Sequence, residues 1–366
     1  MSDGQFRTNA ALRREPPELS TAGAVAVAEA NAAERAEWDE YVARAPSAEL
    51  YHDYRWRTLV EELFGHQTVY LVARDAAGAR GVLPLVRLKS RLFGDFMVSM
   101  PYVNYGGVLA DSAAARNALL AAAKDRALEL GVEHIELRHR DGVETDWAVR
   151  SDKVAMLLDL PSSEDDLWAT FKAKLRAQIR RPQKDGAIVR RGGIELVRDF
   201  YAVFARNMRD LGTPVYPRRF FETILSTFGP QAAVFVVDLH GKPVAAGLVL
   251  LHRDTLEIPW ASSLREANRV GVNMLLYWAV LREAVALGCR RFDFGRSSED
   301  SGTYRFKLQW GAQPQRLRWH YWLAREGSLP RLNPSNPKYR AAIALWRNLP
   351  VPVTNLLGPR IVKNLP

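Results

Sequence analysis

The sequence predicts an α/β protein built twice on one plan, each half a mixed sheet with helices on both faces. Two observations carry this expectation. The first is a near-repeat of domain size: residues 127–137 (ALELGVEHIEL) align without gaps with residues 284–294 (AVALGCRRFDF), so that Gly288 stands 157 residues after Gly131. The second is a shared order of signals in each half, namely helix, helix, hairpin, strand, helix, strand.

Taken in order, helical patterns occupy residues 34–44 and 53–64 in the first half and 195–211 and 217–228 in the second, with Leu63-Phe64-Gly65 echoed by Thr227-Phe228-Gly229. Residues 68–74 and 80–87 flank Ala76-Ala77-Gly78-Ala79, and residues 233–239 and 243–251 flank His240-Gly241-Lys242, so each pair reads as a hairpin. A third strand follows at 94–100 and at 256–262. The next helix ends at Gly131 or Gly288, since a residue just past a helix end often needs the left-handed backbone that glycine accepts. The triplets Ile135-Glu136-Leu137 and Phe292-Asp293-Phe294 then alternate with strand period. A hairpin feeding a strand, helix, strand crossover makes a mixed sheet, an order that resembles the GNAT acyltransferase fold, and that resemblance implies a splayed gap beside the third strand. In the second half that gap lies along residues 256–262, and the following helix starts near Val270 to Asn273.

The expected divisions are a flexible leader at 1–22, a first domain at 23–150, a second at 151–323 that includes a basic helix at 163–181, and a Pro-rich strap at 324–366. The formal charge of +10 over 366 residues is carried by arginine, because only ten of the 51 cationic residues are lysine. Guanidinium suits bidentate capture of phosphate or carboxylate, so an anionic partner is expected. The lone Cys289 excludes an intrachain disulfide, and no Cys/His cluster has metal-ligand spacing, so no metal is expected. No apolar run approaches the ~18 residues of a spanning helix, and the expected location is the cytoplasm. The chain holds no G-x-S-x-G, G-x-x-x-x-G-K-[ST], H-E-x-x-H or G-x-G-x-x-G, which removes hydrolase, P-loop, zinc-protease and dinucleotide-binding readings.

Between the halves, Leu167, Phe171, Leu175 and Ile179 recur every fourth residue after Ser163, and Pro182 is expected to end the helix. From residue 172 to 191 eight cations face the single acid Asp185. Lys172, Arg176 and Arg180 are spaced to share one face, where like charges cost up to ~0.5 kcal/mol per pair unless an anion compensates. The face is either a phosphate site or a solvated surface, and without interleaved aromatics it gives no support to base stacking.

The densest cluster of unusual residues is 291–311, RFDFGRSSEDSGTYRFKLQWG, a strand running into a polar loop, where α/β sheets place ligands. Phe306-Lys307-Leu308-Gln309-Trp310-Gly311 fits the F-K-x-x-x-G signature of Fem-type (FemA/FemB-like) transferases, built from two domains of the GNAT acyltransferase fold. The resemblance runs from about residue 30 through nearly all of the chain. Residues 94–107 (GDFMVSMPYVNYGG), 207–216 (NMRDLGTPVY), 292–297 (FDFGRS) and 306–311 together resemble the FemAB-like proteins that accompany exosortase/PEP-CTERM systems.

The resemblance implies transfer of an acyl or aminoacyl group to an amine on a cell-envelope or exopolysaccharide precursor, with Lys307 stabilising the oxyanion. A cation held where negative charge develops does this without reorganising. Asp293 and Asp300 are candidate bases, and Tyr304 either donates a hydrogen bond or packs. Arg296 is expected to pair with Asp293, Glu299 or Asp300, with an anionic substrate as the alternative. Ser297, Phe306, Asn207, Tyr216 and Trp260 are candidate substrate contacts, as are Tyr102, Asn104 and Tyr105 from the first half, which lacks the lysine motif. Asn273 either caps its helix or meets a phosphate.

No long helical-hairpin arm of the kind that accompanies tRNA use is present, and Arg269-Val270-Gly271-Val272-Asn273 is at best a degenerate coenzyme A loop. The donor therefore stays open between acyl-CoA and aminoacyl-tRNA. A phosphate-bearing small or lipid-linked acceptor is the expected partner. The tail, with Trp346, Leu349, Val351, Val353, Leu356 and Leu357 among Arg347, Arg360 and Lys363, is expected to strap the two domains, with membrane-surface contact as the alternative. The rival reading for the whole chain is a non-catalytic scaffold of a polysaccharide export system.

Overall fold

The computed structural model describes residues 24–330 and 337–365, so the expected leader at 1–22 and residues 331–336 of the strap lie outside the described residues. The first half comprises β1 (Ala26–Glu29), α1 (Arg35–Arg44), α2 (Arg55–Phe64), β2 (Gln67–Asp75), β3 (Gly78–Ser90), β4 (Gly94–Val98), β5 (Leu109–Ala110), α3 (Ala113–Leu130), β6 (His134–His139) and β7 (Ala148–Arg150). Next come β8 (Lys153–Asp159), α4 (Glu164–Thr170), α5 (Ala173–Lys184), β9 (Ile188–Gly192), α6 (Val197–Leu211), α7 (Arg218–Phe228), β10 (Ala232–Leu239), β11 (Lys242–His252) and β12 (Thr255–Ser263). The remainder is α8 (Val272–Ala286), β13 (Arg291–Ser298), α9 (Gly302–Leu308), β14 (Gln313–Arg316), β15 (Arg318–Leu323), α10 (Pro337–Arg347) and α11 (Val351–Val362).

The expected duplication is present. One sheet has the order β1-β2-β3-β4-β6-β15-β7, with β5 beside β3, and the other β14-β8-β13-β12-β11-β10-β9. In each, an antiparallel hairpin (β2/β3 or β10/β11) leads to a third strand that pairs in parallel with the strand beyond the crossover helix, β4 with β6 and β12 with β13. Both helix-closing glycines take the left-handed conformation, Gly131 at φ 65 and Gly288 at φ 71.

The last strand of each half is exchanged. β8, which follows the first half, lies antiparallel between β13 and β14 of the second sheet. β15, from the end of the second half, lies antiparallel between β6 and β7 of the first, with Trp319 opposite both Arg138 and Arg150. A cut at residue 150 keeps β8 with the sheet it joins, but a second domain running to 323 includes β15, which the hydrogen bonds place in the first sheet. The halves also meet through α2 and α7, the helices with the echoed Phe-Gly ends: Trp56 lies 5.0 Å from Phe228, and Phe64 lies 5.6 Å from Phe220. One contiguous apolar core spans both.

Two expectations about local structure are corrected. The basic helix expected at 163–181 is two helices, because Phe171 (ψ 137) and Lys172 (ψ 150) are extended between α4 and α5. Lys172 is thus the N-cap of α5, not a member of its charged face. Pro182 does not end the helix but sits inside its last turn, which closes at Asp185 before Gly186 at φ 82. Among the described residues no helix is long and apolar enough to cross a membrane.

The strand exchange makes each sheet incomplete without the other half, so the described lobes are expected to unfold together. In chemical denaturation, tryptophan fluorescence and far-ultraviolet circular dichroism should trace one coincident transition. A chain ended after Leu317, which removes β15, should lose the native signal in both. Two separated transitions would show that the lobes are energetically independent.

Candidate active site

β12 and β13 pair only at Thr255↔Arg291, Leu256↔Phe292 and Glu257↔Asp293, although both strands continue. Beyond Glu257 and Asp293 they part, and local hydrogen bonds keep them apart. The Gly295 N–H donates to Asp293 Oδ1 at 2.7 Å, within its own strand, and Gly295 bends at φ 75. The Gly295 and Arg296 carbonyls accept from Lys307 Nζ at 2.9 and 3.0 Å. These β13 backbone groups are therefore satisfied without closing the gap.

Lys307 lies on α9, a short helix in place of the expected loop, capped by Ser301 Oγ, which accepts from the Tyr304 N–H at 3.1 Å. A lysine ammonium has three N–H groups, and the third has no partner among the described residues. Burial pushes this group down to about 8, an effect opposed by nearby Asp293 and Glu257 and aided by Arg296.

Behind the gap, residues from the first half enclose two carboxylates. Asp293 is fully buried; its Oδ2 accepts from the Tyr105 hydroxyl at 2.8 Å and lies 3.5 Å from Arg140. Glu257 Oε2 accepts from the Tyr51 hydroxyl at 2.7 Å, and Oε1 lies 3.4 Å from the Asn104 amide. Arg140 also binds Glu49 Oε2 at 2.8 Å. Burial raises Glu257 well above the usual carboxylate range, with Asp293 adding to it, and burial brings Glu49 up to about 7. Cavities of about 350 Å³, walled by the first half, and 240 Å³, walled by both halves, meet this cluster, both lined by Glu49 and Arg140 and the second also by Glu257. Glu257, Glu49, Arg140 and Tyr51 were not among the sequence candidates, whereas Tyr105 was expected in the cleft wall. Glu257 nonetheless carries a signal, being the acid of a third apolar-acidic-apolar triplet, Leu256-Glu257-Ile258.

Of the sequence candidates, Lys307, Asp293, Arg296 and Asn104 converge on the gap, and Ser297 follows on β13 opposite Val154 of β8. Arg296 does not make the expected ion pair: among the described residues it meets no carboxylate, and Glu299 pairs with Arg316 instead. Its guanidinium stands over Trp319 at 4.7 Å, and Arg138 stands over the same ring at 4.5 Å. The buried Ser297 Oγ has no partner among the described residues.

Other candidates are engaged elsewhere. Trp260 packs on Phe220 and Phe221 at 5.4 and 5.5 Å, and Tyr216 on Phe220 at 4.9 Å. Asn207 Nδ2 donates to Ser262 Oγ at 3.0 Å, tying α6 to the far end of β12. The Tyr102 hydroxyl donates to the Lys363 carbonyl at 2.7 Å, so it holds the tail. Tyr304 and Phe306 pack against the core, Phe306 5.0 Å from Tyr277 in T-shaped contact. Asp300 is a turn residue at φ 61. Asn273 is not the cap of α8, a place taken by Gly271 at φ 84; it lies in the first turn, which Gln178 of α5 approaches. Arg180 stands 5.0 Å over Trp168, so part of the basic face is spent on a cation–π contact.

The corresponding gap in the first half is filled. Arg138 stands where Gly295 stands in the second; its amide donates to Ser99 Oγ at 2.8 Å and its guanidinium to the Val103 carbonyl at 2.7 Å.

With this geometry in place, comparison with known proteins is direct. The acetyltransferase (GNAT) domain family matches residues 169–308, ending at Leu308 beside Lys307. No curated protein matches the chain. Solved structures of similar fold include FemX, with a TM-score of 0.61 at 15% identity over 80% of this chain and 96% of that one. The C-terminal domain of a protein assigned as a lysylphosphatidylglycerol synthetase from Agrobacterium fabrum gives 0.53 at 12% identity, covering 86% and 94%. A tandem GNAT protein from the clavulanic acid biosynthesis pathway gives 0.50 at 14% identity, covering 84% and 100%. The chain therefore has a tandem GNAT fold with an acetyltransferase-type domain in its second half, and it is an acyltransferase.

Proposed function

We propose that the chain joins an acyl or aminoacyl group to an amine on a cell-envelope or exopolysaccharide precursor, using the gap between β12 and β13. The observation that carries this reading is the buried Lys307 ammonium, with one N–H uncommitted among the described residues, beside Arg296, which makes no ion pair among them. In this scheme the amine lone pair attacks the donor carbonyl, and the third Lys307 N–H meets the oxyanion as it forms. The C–N bond forms as the bond to the leaving sulfur or oxygen breaks. Of the two protons an ammonium acceptor gives up, one leaves on that atom and the other goes to the Glu257 carboxylate.

Glu257 suits this role better than the expected Asp293. Both Asp293 oxygens are held by Gly295, Tyr105 and Arg140, whereas Glu257 lies where the strands part and its affinity for a proton is raised toward the working pH. Arg296 and Ser297 would then bind the acceptor, with Asn104 at its back. Lys172, Arg176 and Arg180 of the basic segment, with Asn273 in the first turn of α8, would meet donor phosphates, a chemistry that coenzyme A and tRNA share. Support for an envelope acceptor comes from the folds of FemX and the lysylphosphatidylglycerol synthetase, and for a PEP-CTERM setting from the four matching segments. Thermal-shift panels of acyl-CoAs and aminoacyl-tRNAs would separate the donors, since a ligand bound only by the native state raises the melting temperature.

Lys307→Ala should fold normally and lose about 10²–10³ in kcat, read by mass spectrometry of the acylated acceptor; full retention of rate would sink the proposed role. The pH profile follows from the two shifts. Lys307 is charged below about 8, so activity should fall as pH rises through that value. Glu257 must be ionised to act as base, so activity should climb with pH from a point above the ordinary carboxylate pKa of about 4. Glu257→Gln should remove the rising limb and about 10²-fold or more of kcat, and a profile unchanged in that variant would assign the base elsewhere.

A further inference from the structure

α11 is oriented contrary to an ordinary surface helix. Its buried positions are Thr354, Gly358 and Val362, spaced by four, and Gly358 lies so close to the Val215 backbone that a Cβ would stand 2.8 Å from the Val215 nitrogen. The face turned to solvent carries Val353, Leu356 and Leu357, at exposures of 37%, 65% and 37%, followed by Arg360. Positions 353, 356, 357 and 360 are the i, i+3, i+4, i+7 set of one helical face. On α10 Leu345 is 67% exposed, and at the end of α6, against which α10 packs, Leu211 is 48% exposed. A docked helix that shows leucine to water marks a surface made for an apolar partner.

Charge identifies the partner. Residues 327–366 contain no Asp or Glu, but Arg331, Lys338, Arg340, Arg347, Arg360 and Lys363. The nearby acid on α6, Asp210, already pairs with Arg209 at 2.6 Å. An apolar stripe flanked by cations without acids matches the interface of an anionic bilayer, where leucines enter the acyl boundary and cations meet headgroup phosphates.

The position of the helix connects this surface with the cleft. The Lys363 carbonyl at its end accepts from Tyr102, and Tyr102 packs 5.7 Å from Tyr216, which packs in turn on Phe220 beside Trp260 of β12. We infer that α10 and α11 form a peripheral docking surface for an anionic membrane. Its purpose, presenting a lipid-carried acceptor to the gap, rests on the proposed function; the docking itself does not.

The test is co-sedimentation of the full chain with vesicles of phosphatidylglycerol and, separately, of phosphatidylcholine. The chain should bind phosphatidylglycerol at least ~10-fold more tightly, and high salt should weaken that binding. Leu356→Asp with Leu357→Asp should reduce binding at least ~10-fold at an unchanged melting temperature. Should that variant fail to fold, Arg347→Glu with Arg360→Glu supplies the same readout from exposed side chains. Lys307→Ala should bind vesicles as the unaltered chain does, so loss of transfer and loss of docking are told apart. Failure of the unaltered chain to sediment with phosphatidylglycerol, equal binding by the folded variants, or a dimer in analytical ultracentrifugation that the leucine changes dissociate would each overturn the inference.

Discussion

The exchange of β8 and β15 is the constraint on which the site depends. β13 carries Asp293, Gly295, Arg296 and Ser297, and its outer neighbour is β8, which follows the first half in sequence. Trp319, the platform under both Arg296 and Arg138, arrives in the first sheet on β15. Neither half can position these groups by folding alone.

A second consequence is electrostatic. Glu49, Glu257 and Asp293 are drawn around the cation Arg140, in surroundings where each charge has lost most of its hydration. The cluster carries a proton more readily than separate carboxylates in water would, because burial and mutual repulsion both favour the neutral acid. Lys307 is subject to the opposite pressure, since its burial favours loss of a proton. The raised acid and the lowered ammonium thus approach each other on the pH scale from opposite sides, which is the arrangement in which proton transfer between site and substrate costs least.

The parts of the fold legible in the sequence are those with local causes. Gly131 and Gly288 mark helix ends because backbone chirality disfavours other residues there, and the alternating triplets mark strands because the pleat has period two. Lys307 was legible through the resemblance of residues 306–311. The exchange was not, because β7 and β8 carry the same short patterns as β14 and β15, and choosing which sheet receives each is a long-range decision. The broken hinge helix shows a different limit. Leu167, Phe171, Leu175 and Ile179 suggest one continuous stripe, yet a spacing of four drifts about 40° per step on a helix of 3.6 residues per turn. Unwinding at Phe171 and Lys172 resets the stripe, and all four side chains are buried as a result. Arg296 was misjudged for a related reason: its neighbours in sequence are acids, but strand geometry aims it at Trp319.

The two halves explain why chemistry belongs to only one of them. Ile135 and Glu136 occupy the register positions of Phe292 and Asp293, each opposite the last paired residues of the third strand. Two residues past the acid the halves diverge. In the first, the Arg138 amide is tied to Ser99 and its side chain, almost fully buried, reaches the Val103 carbonyl, while Glu136 holds its Nε at 2.7 Å. A side chain of this length spans the gap and satisfies it. In the second half the same place is Gly295, which contributes no side chain, hands its N–H to Asp293 and turns its carbonyl to Lys307. A bulkier residue there would have to bear the strain of a positive φ and would stand against Asn104, 3.6 Å from the position of its Cβ. Arginine in one copy and glycine in the other thus decide, at a single position of a duplicated strand, which gap is structural and which is free to receive a substrate.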